Sequence, residues 1–320
     1  MPKIIDGSRL VVKCCKLYYE ENYTQNEIAK LLEISRPTVS RLLKEGKESG
    51  VVRIEIVNPL QDNFESLERR VEQLYGLKEV IIVEDEADVS LQTKNAAKAA
   101  ASYLMRIVKP GNTIGVSMGT MVKAVAKYID IQGNLNLTFV PLVGGVGQSQ
   151  REIHPNEIIT ELAKSFGGNF KLLHAPAVVS NENIKKEILK EQSIKEVLDH
   201  TKLCNIGLVG IGSPTDPAST IMGSGYFNLN DTSNLQKAGA IGDVCLRFYD
   251  IHGHTEQFDF NKRVVGIELE DLKKIEIMIG VACGENKVMA IIGALNSKLI
   301  NVLVTNYSNA LKIAAFKEEN

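Results

Sequence analysis

Residues 24–47 read TQNEIAKLLEISRPTVSRLLKEGK and contain the start signals of two successive helices. Thr24 followed by Glu27 matches a capping box, in which each side chain accepts a hydrogen bond from the other residue's backbone N–H. Ser35 is a favourable helix cap, and Pro37 in the first turn of the next helix sacrifices no hydrogen bond. Because few residues separate the two helices, the stretch predicts a helix-turn-helix.

The segments on either side complete this unit. The spacing of apolar residues predicts a helix over residues 8–20, and residues 51–56 alternate as a short, wing-like strand. Glu33 lies in the turn, where glycine is common, so we expect modest backbone strain there. Three helices followed by a strand indicate a DNA-binding domain over residues 1–58.

The second capped helix directs its polar residues outward, since Val39, Leu42 and Leu43 form its inner face. Arginine suits a bidentate contact to guanine, whereas hydroxyls and lysines suit bases or phosphates. We expect Ser40 and Arg41 to reach base edges; the alternative is a helical hairpin whose charges are merely solvated. The candidate DNA-binding residues are Ser35, Arg36, Thr38, Ser40, Arg41, Lys44 and Lys47.

An apolar stripe follows the predicted strand. Its members are spaced by four and three residues, as in the a/d seam of a coiled coil. They are Leu60, Phe64, Leu67, Val71 and Leu74. Two heptads are too few for an independent coiled coil, so the stripe predicts either a dimer contact or a face that packs on the following domain. A dimer would pair two DNA-binding units.

The composition is that of a soluble globular protein. The 320 residues are 44% hydrophobic and 24% charged, and the length suggests two domains. No apolar run reaches the ~20 residues of a membrane span, and residues 1–6 lack a signal core, so we expect a cytoplasmic protein without membrane contact. The five cysteines show no C-x-x-C spacing, which predicts neither a disulfide framework nor a zinc site.

Residues 59–320 alternate between strand-like and helix-like segments. This order is typical of an α/β domain whose parallel sheet is covered on both faces. Ligands of such domains lie beyond the carboxyl ends of the strands. Four glycine turns fall at predicted strand ends and together indicate a ligand cleft. They are Gly115–Thr120, Gly144–Gly147, Gly242-Asp243 and Gly284–Lys287.

Two other kinds of site match parts of this pattern less well. Ser117 between Gly115 and Gly119 resembles the nucleophile elbow of a hydrolase, with Asp243 and a histidine of the His252-Gly253-His254 segment as partners, but no oxyanion segment precedes it. The same histidine pair lacks a spaced third ligand for a metal. We therefore predict no catalytic residue, no metal site and no cofactor.

Taken together, the motifs resemble those of the SorC family of bacterial sugar-responsive transcription regulators. The resemblance rests on residues 35–42, SRPTVSRL, and on further motifs in the family's order. These are Gly115–Thr120, Pro141–Gly145, Val209–Gly212, Gly223–Phe227, Gly242-Asp243, Gly284–Lys287 and Asn301–Thr305. The resemblance implies a Rossmann-like three-layer α/β/α effector domain, similar to phosphosugar isomerases, that senses a sugar or sugar phosphate. It also implies a homotetramer.

The family's ligand contacts, transferred position by position, give an expected effector site. It consists of Ser117, Gly119, Thr120, Gly144, Gly145, Asp243 and Lys287. The resemblance makes Lys287 the cation for an anionic group and Asp243 an acceptor for ligand hydroxyls. Val143 replaces a Lys or Arg of some relatives, which excludes a Schiff-base effector. Asn306 replaces the usual Asp after the last strand, which removes a charge near the cleft.

The sequence thus predicts a DNA-binding transcription regulator of carbohydrate metabolism. A sugar phosphate in residues 59–320 would control its affinity for double-stranded operator DNA, and the assembly would be a dimer of dimers. One alternative is a phosphosugar isomerase-like enzyme fused to a DNA-binding module, for which Asp243 is the only general base we can name. A second alternative is an architectural DNA-binding protein that responds to no ligand.

Overall fold

The computed structural model describes residues 7–53, 64–131, 134–145, 152–214 and 229–320. The chain divides into two compact units, residues 1–61 and residues 62–320. The predicted boundary between residues 58 and 59 lies outside the described residues. The same holds for Leu60 of the apolar stripe, residues 54–56 of the wing-like strand, Gly147 and the motif Gly223–Phe227.

The N-terminal unit contains helices α1 (Gly7–Tyr19), α2 (Gln25–Leu31) and α3 (Arg36–Glu48). The predicted capping box is confirmed, because the Thr24 N–H donates to Glu27 Oε2 at 2.8 Å and Thr24 Oγ1 accepts from the Glu27 N–H at 3.4 Å. Ser35 caps α3 through the Thr38 N–H at 3.3 Å. Glu33 has a φ of +52°, which is the strained turn expected for a non-glycine residue.

The core of this unit is small and tightly packed. Val11, Cys14 and Ile28 are buried together with the inner face of α3. A Cβ on Gly46 would lie 2.3 Å from Cys15 Sγ, so glycine allows α1 and α3 to approach closely. No strand forms over residues 51–53, the described part of the predicted wing.

The second unit is built on a sheet of seven parallel strands. These strands are β1 (Glu79–Val83), β2 (Thr113–Val116), β3 (Thr138–Pro141), β4 (Asn169–Phe170), β5 (Ile206–Gly210), β8 (Ile277–Val281) and β9 (Val302–Asn306). Their order in the sheet is β1-β9-β8-β5-β2-β3-β4. An antiparallel hairpin of β6 (Gly242–Val244) and β7 (Arg247–Tyr249) stands apart from the sheet.

Helices cover both faces of the sheet. The described helices of this unit are α4 (Glu65–Tyr75), α5 (Val89–Ile107), α6 (Thr120–Ala126), α7 (Pro155–Phe166), α8 (Glu182–Ile188), α9 (Gln192–Thr201), α10 (Leu229–Lys237), α11 (Leu269–Leu272), α12 (Val288–Asn296) and α13 (Tyr307–Glu319). Successive strand residues point to opposite faces, so Val302 and Val304 belong to one apolar core and Leu303 to the other. The predicted three-layer α/β/α architecture is confirmed.

The apolar stripe packs inside this unit, so its described members take the second of the two predicted roles, a face that packs on the following domain, and the dimer contact is wrong for them. Leu67 and Val71 are buried in the core, and Phe64 and Leu74 pack against it. Carboxylates of the same helix accept hydrogen bonds from backbone N–H groups of the edge strand β1, at 2.8 Å between Glu68 and Ile82 and 2.9 Å between Glu72 and Val80. Helix α4 therefore covers an exposed sheet edge.

Candidate effector cleft and DNA-binding helix

A cleft of about 550 Å³ opens beyond the carboxyl ends of β2, β5 and β8. This is where ligands bind in open α/β sheets. Five of the seven predicted effector residues line it: Ser117, Gly119, Thr120, Asp243 and Lys287. The structure thus brings together three loops that are far apart in the sequence.

The loop after β2 presents backbone groups and the Thr120 hydroxyl to the cleft. The Ser117 hydroxyl is buried, donates to the Met118 carbonyl at 3.2 Å and accepts from the Gly210 N–H at 3.4 Å. Gly119 has a φ of +125°, a conformation that favours glycine. Thr120 is exposed, so its hydroxyl remains accessible to a ligand.

The hairpin of β6 and β7 delivers Asp243 to the cleft. Its turn residues, Cys245 and Leu246, both have positive φ values, +52° and +61°. Two-residue turns of this kind normally contain Asn or Gly, so this one stores backbone strain. Asp243 also needs its neighbour Gly212, since a Cβ there would lie 1.9 Å from Asp243 Oδ1.

Asp243 is a buried carboxylate with one oxygen unused. Its Oδ2 accepts from the Leu246 N–H at 3.1 Å, whereas Oδ1 has no hydrogen-bond partner within the described structure. Burial raises the pKa of Asp243 to about 6, against a lowering by the Leu246 hydrogen bond and by the positive charge of Lys287. A hydroxyl of a bound ligand would satisfy Oδ1, and the buried orphan atom therefore points to a ligand.

The loop after β8 contributes the cation of the cleft. Gly284 has a φ of +99° and precedes a single 3-10 turn, Glu285–Lys287. Lys287 is half-buried, and its charge acts on the carboxylate of Asp243. Glu285, by contrast, is exposed and pairs with Lys312. Among the described residues, the cleft therefore brings the cation of Lys287 to the buried carboxylate of Asp243.

Gly144 and Gly145 are not among the described residues that line the cleft. Their N–H groups donate to the backbone carbonyls of Val265 and Ala175, at 2.9 and 2.8 Å. A Cβ on Gly145 would lie 2.0 Å from Nε2 of His154. These glycines serve close packing between chain segments.

The hydrolase alternative is not supported by the geometry. Neither His252 nor His254 lines the cleft, and His254 pairs instead with Asp250 at 3.1 Å. The Ser117 hydroxyl has backbone partners rather than a base. Over the described ranges, we find no group of three His, Cys, Asp or Glu side chains that could hold a metal ion.

Sequence reasoning missed several cleft residues. Val89 and Thr93 come from the first turns of α5, and Cys245 and Leu246 from the hairpin turn. The Val-Cys-Leu-Arg sequence around that turn contains no glycine or asparagine, so it gave no turn signal.

The exposed face of α3 carries the predicted DNA-binding residues. Six of them, Ser35, Arg36, Ser40, Arg41, Lys44 and Lys47, are exposed, and Thr38 is half-buried. Two of the basic side chains make contacts within the unit. Lys44 pairs with Glu48 at 3.6 Å, and Lys47 lies 5.9 Å from the ring centroid of Tyr19. Such exposed pairs are weak and leave the charges available to phosphates.

Comparison with known proteins identifies the family to which this chain belongs. Residues 60–315 match the family described as "Putative sugar-binding domain". The Deoxyribonucleoside regulator of Bacillus subtilis (strain 168) is 35% identical over 306 residues, which cover 95% of this chain and 97% of the relative. The chain belongs to the SorC family of sugar-binding transcription regulators.

Two further relatives place the whole chain in the SorC family. The Sorbitol operon regulator of Klebsiella pneumoniae is 33% identical over 310 residues, which cover 95% of this chain and 97% of the relative. The crystal structure of the full-length Sorbitol Operon Regulator SorC from the same organism superposes with a TM-score of 0.74 at 32% identity, over 97% of this chain and 99% of that one. Residues 9–48 also match region 4 of Sigma-70.

These names favour a regulator over the isomerase-like enzyme, because the relatives are transcription regulators. Among the helices that the structure describes, none is long and apolar enough to span a membrane.

Proposed function

We propose that this SorC-family regulator binds operator DNA through α3 and that a sugar phosphate in the cleft controls its affinity for the operator. One observation carries the effector part: Asp243, a buried carboxylate whose Oδ1 has no hydrogen-bond partner among the described residues, shares the cleft with Lys287. A carboxylate accepts hydrogen bonds from sugar hydroxyls, and an ammonium group suits a phosphate.

The phosphate is the finer part of this proposal. Lys287, the exposed Thr120 hydroxyl and the backbone of the Ser117–Thr120 loop supply the anion-binding groups. Val143 is buried and forms a β-bridge with Gly266. Because its side chain is apolar, it adds no cation to the cleft. We also propose a cytoplasmic homotetramer, a dimer of dimers, because paired DNA-binding units read paired half-sites.

Replacement of Lys287 by alanine tests the phosphate. At a hundredfold excess over its dissociation constant, a ligand stabilises its protein by about 2.7 kcal/mol, which is a melting shift of several degrees. In a thermal-shift screen of sugar phosphates, the parent should show such a shift and Lys287→Ala should lose it. The ligand-free melting temperature of each protein is the reference from which its shift is measured. A larger shift with the dephosphorylated sugar, kept in Lys287→Ala, would replace the phosphate with a neutral sugar.

Turnover of the bound compound would contradict a purely sensory role. The same sugar phosphates should therefore be incubated with the full chain and analysed for isomerised or hydrolysed products. A product formed by the parent but not by Asp243→Asn would favour the isomerase-like alternative.

Replacement of Arg41 by alanine tests the DNA-binding face. If Arg41 contacts a base edge, operator affinity should fall by about 1–3 kcal/mol and base preference should relax. Lys47→Ala should weaken binding to all sequences alike and reduce the salt dependence, as expected for a phosphate contact. Lys13→Ala, an exposed cation on α1 opposite its buried face, is the matched control. Unchanged operator affinity of Arg41→Ala in a gel-shift titration would remove Arg41 from the interface.

A further inference from the structure

The side chain of Asn306, at the carboxyl end of β9, connects two loops. Its Nδ2 donates to Asp85 Oδ1 at 2.6 Å, and its Oδ1 accepts from the Gly284 N–H at 3.1 Å. Asn306 is buried, so both hydrogen bonds are shielded from water. A primary amide offers a donor and an acceptor at once, whereas a carboxylate offers only acceptors.

Asp85 is itself firmly held. Both of its carboxylate oxygens accept from the Ser308 N–H at 3.1 Å, and Oδ2 also accepts from the Ser308 hydroxyl. Asp85 thereby caps the start of α13 from a different segment, while Asn306, at the cap position, makes no capping bond. Burial alone would raise the pKa of Asp85, but hydrogen bonds from Asn306 and Ser308 outweigh it and lower the pKa. The carboxylate is therefore ionised at neutral pH.

Gly284 is held on both sides of its peptide unit. Its N–H is bound by Asn306, and its carbonyl accepts from the buried side chain of Asn309 at 3.0 Å. The same carbonyl accepts from the Lys287 N–H at 3.0 Å, which closes the turn from Gly284 to Lys287. Because Gly284 has a φ of +99° and lines the cleft, its orientation sets the direction of this turn.

We propose that Asn306 is a positioning residue for the effector cleft. Anchored by Asp85, its amide holds Gly284 and so keeps the Gly284–Lys287 turn in the shape that receives the effector. The proposal deepens the proposed function and rests on it for the ligand, but the shape of the turn is independent of the ligand. An Asp at this position would lose the donor and place two carboxylates at hydrogen-bond distance.

Amide hydrogen exchange of the full chain tests the anchoring. Three variants are compared with the parent at pH 8 by mass spectrometry of a peptide that spans residues 282–288. N306L removes both hydrogen bonds, N306D sets two carboxylates against each other, and the swap D85N/N306D restores one amide facing one carboxylate. We expect exchange in this peptide to be at least tenfold faster in N306L, faster than the parent in N306D, and within twofold of the parent in the swap.

A peptide over β8, residues 277–281, reports whether the fold itself has loosened. Its exchange should be the same in all four proteins, because the proposal concerns the turn alone. Faster exchange over both peptides would make Asn306 a general structural residue and would overturn the proposal. So would parent-like exchange of residues 282–288 in N306L, or a swap that exchanges as fast as N306D.

Inorganic phosphate, titrated by calorimetry, serves as the ligand probe. We expect the parent to bind it, N306L to bind it at least fivefold more weakly, and the swap to recover the parent affinity. Equal affinity of N306L and the parent would overturn the positioning role. If the parent binds no phosphate at all, the phosphate part of the proposed function fails, and the exchange rates still decide whether Asn306 positions the turn.

Discussion

Val71→Asp is expected to destabilise the effector unit rather than to separate subunits. Val71 is fully buried in α4, where it packs in the core between the sheet and its helices. An uncompensated buried charge costs about 3–5 kcal/mol, which is a large part of the 5–15 kcal/mol that holds a typical protein folded. The urea midpoint of this unit should fall accordingly.

Gln73→Asp is the matched control, because it places the same charge on an exposed position of the same helix. It should leave the urea midpoint nearly unchanged. Light scattering on both variants separates the two roles of the stripe. A folded Val71→Asp protein with the parent's midpoint but a smaller mass would restore the prediction of a dimer contact.

The apolar stripe of α4 shows the limit of what the spacing of apolar residues can predict. Spacings of four and three residues establish that α4 has one apolar face, but they do not say what covers it. Here the covering surface is β1 together with α13, to which α4 is also tied by the Arg70–Glu318 ion pair. The carboxylates of Glu68 and Glu72 bond an edge strand that follows them in the chain, and no local pattern encodes such a contact.

The elements that the sequence predicted well have strong local signals. The helix-turn-helix follows from two side-chain caps and a short turn, all within 24 residues of sequence, 24–47. The apolar runs at residues 203–211, 275–282 and 302–305 predict buried strands, and β5, β8 and β9 lie within these runs or one residue beyond. Strand ends then located the cleft, because parallel strands direct their carboxyl ends to one edge.

Glycine turns predict the lining of the cleft less reliably than strand ends predict its position. Ser117–Thr120 and Gly284–Lys287 line the cleft, whereas Gly144 and Gly145 pack against backbone and His154. The two uses give the same sequence signal, because each only requires the absence of a side chain. The hairpin that carries Asp243 was not predicted as a hairpin, since its strained turn is made by Cys245 and Leu246.

Asp243→Asn is expected to stabilise the protein at pH 8 while weakening effector binding. Burial raises the pKa of Asp243 from the ordinary 3.8 to about 6, so the folded state favours the protonated form. Stability from this group is present below pH 3.8 and is lost as the pH rises through about 6. Above that range the ionised carboxylate costs about 3 kcal/mol, and an amide, which cannot ionise, avoids the cost.

The pH dependence identifies this cause. The advantage of Asp243→Asn in urea unfolding should approach about 3 kcal/mol at pH 8 and shrink to about 1 kcal/mol at pH 4.5. Glu285→Gln, the same exchange at an exposed acid of the same cleft, should show no such gain. Affinity for a bound sugar phosphate should fall by tenfold or more in Asp243→Asn, since hydrogen bonds to a charged group contribute about 1.5–3 kcal/mol. A variant less stable than the parent at pH 8, with unchanged ligand affinity, would make Asp243 a structural carboxylate and would leave Lys287 as the remaining charged group of the proposed site.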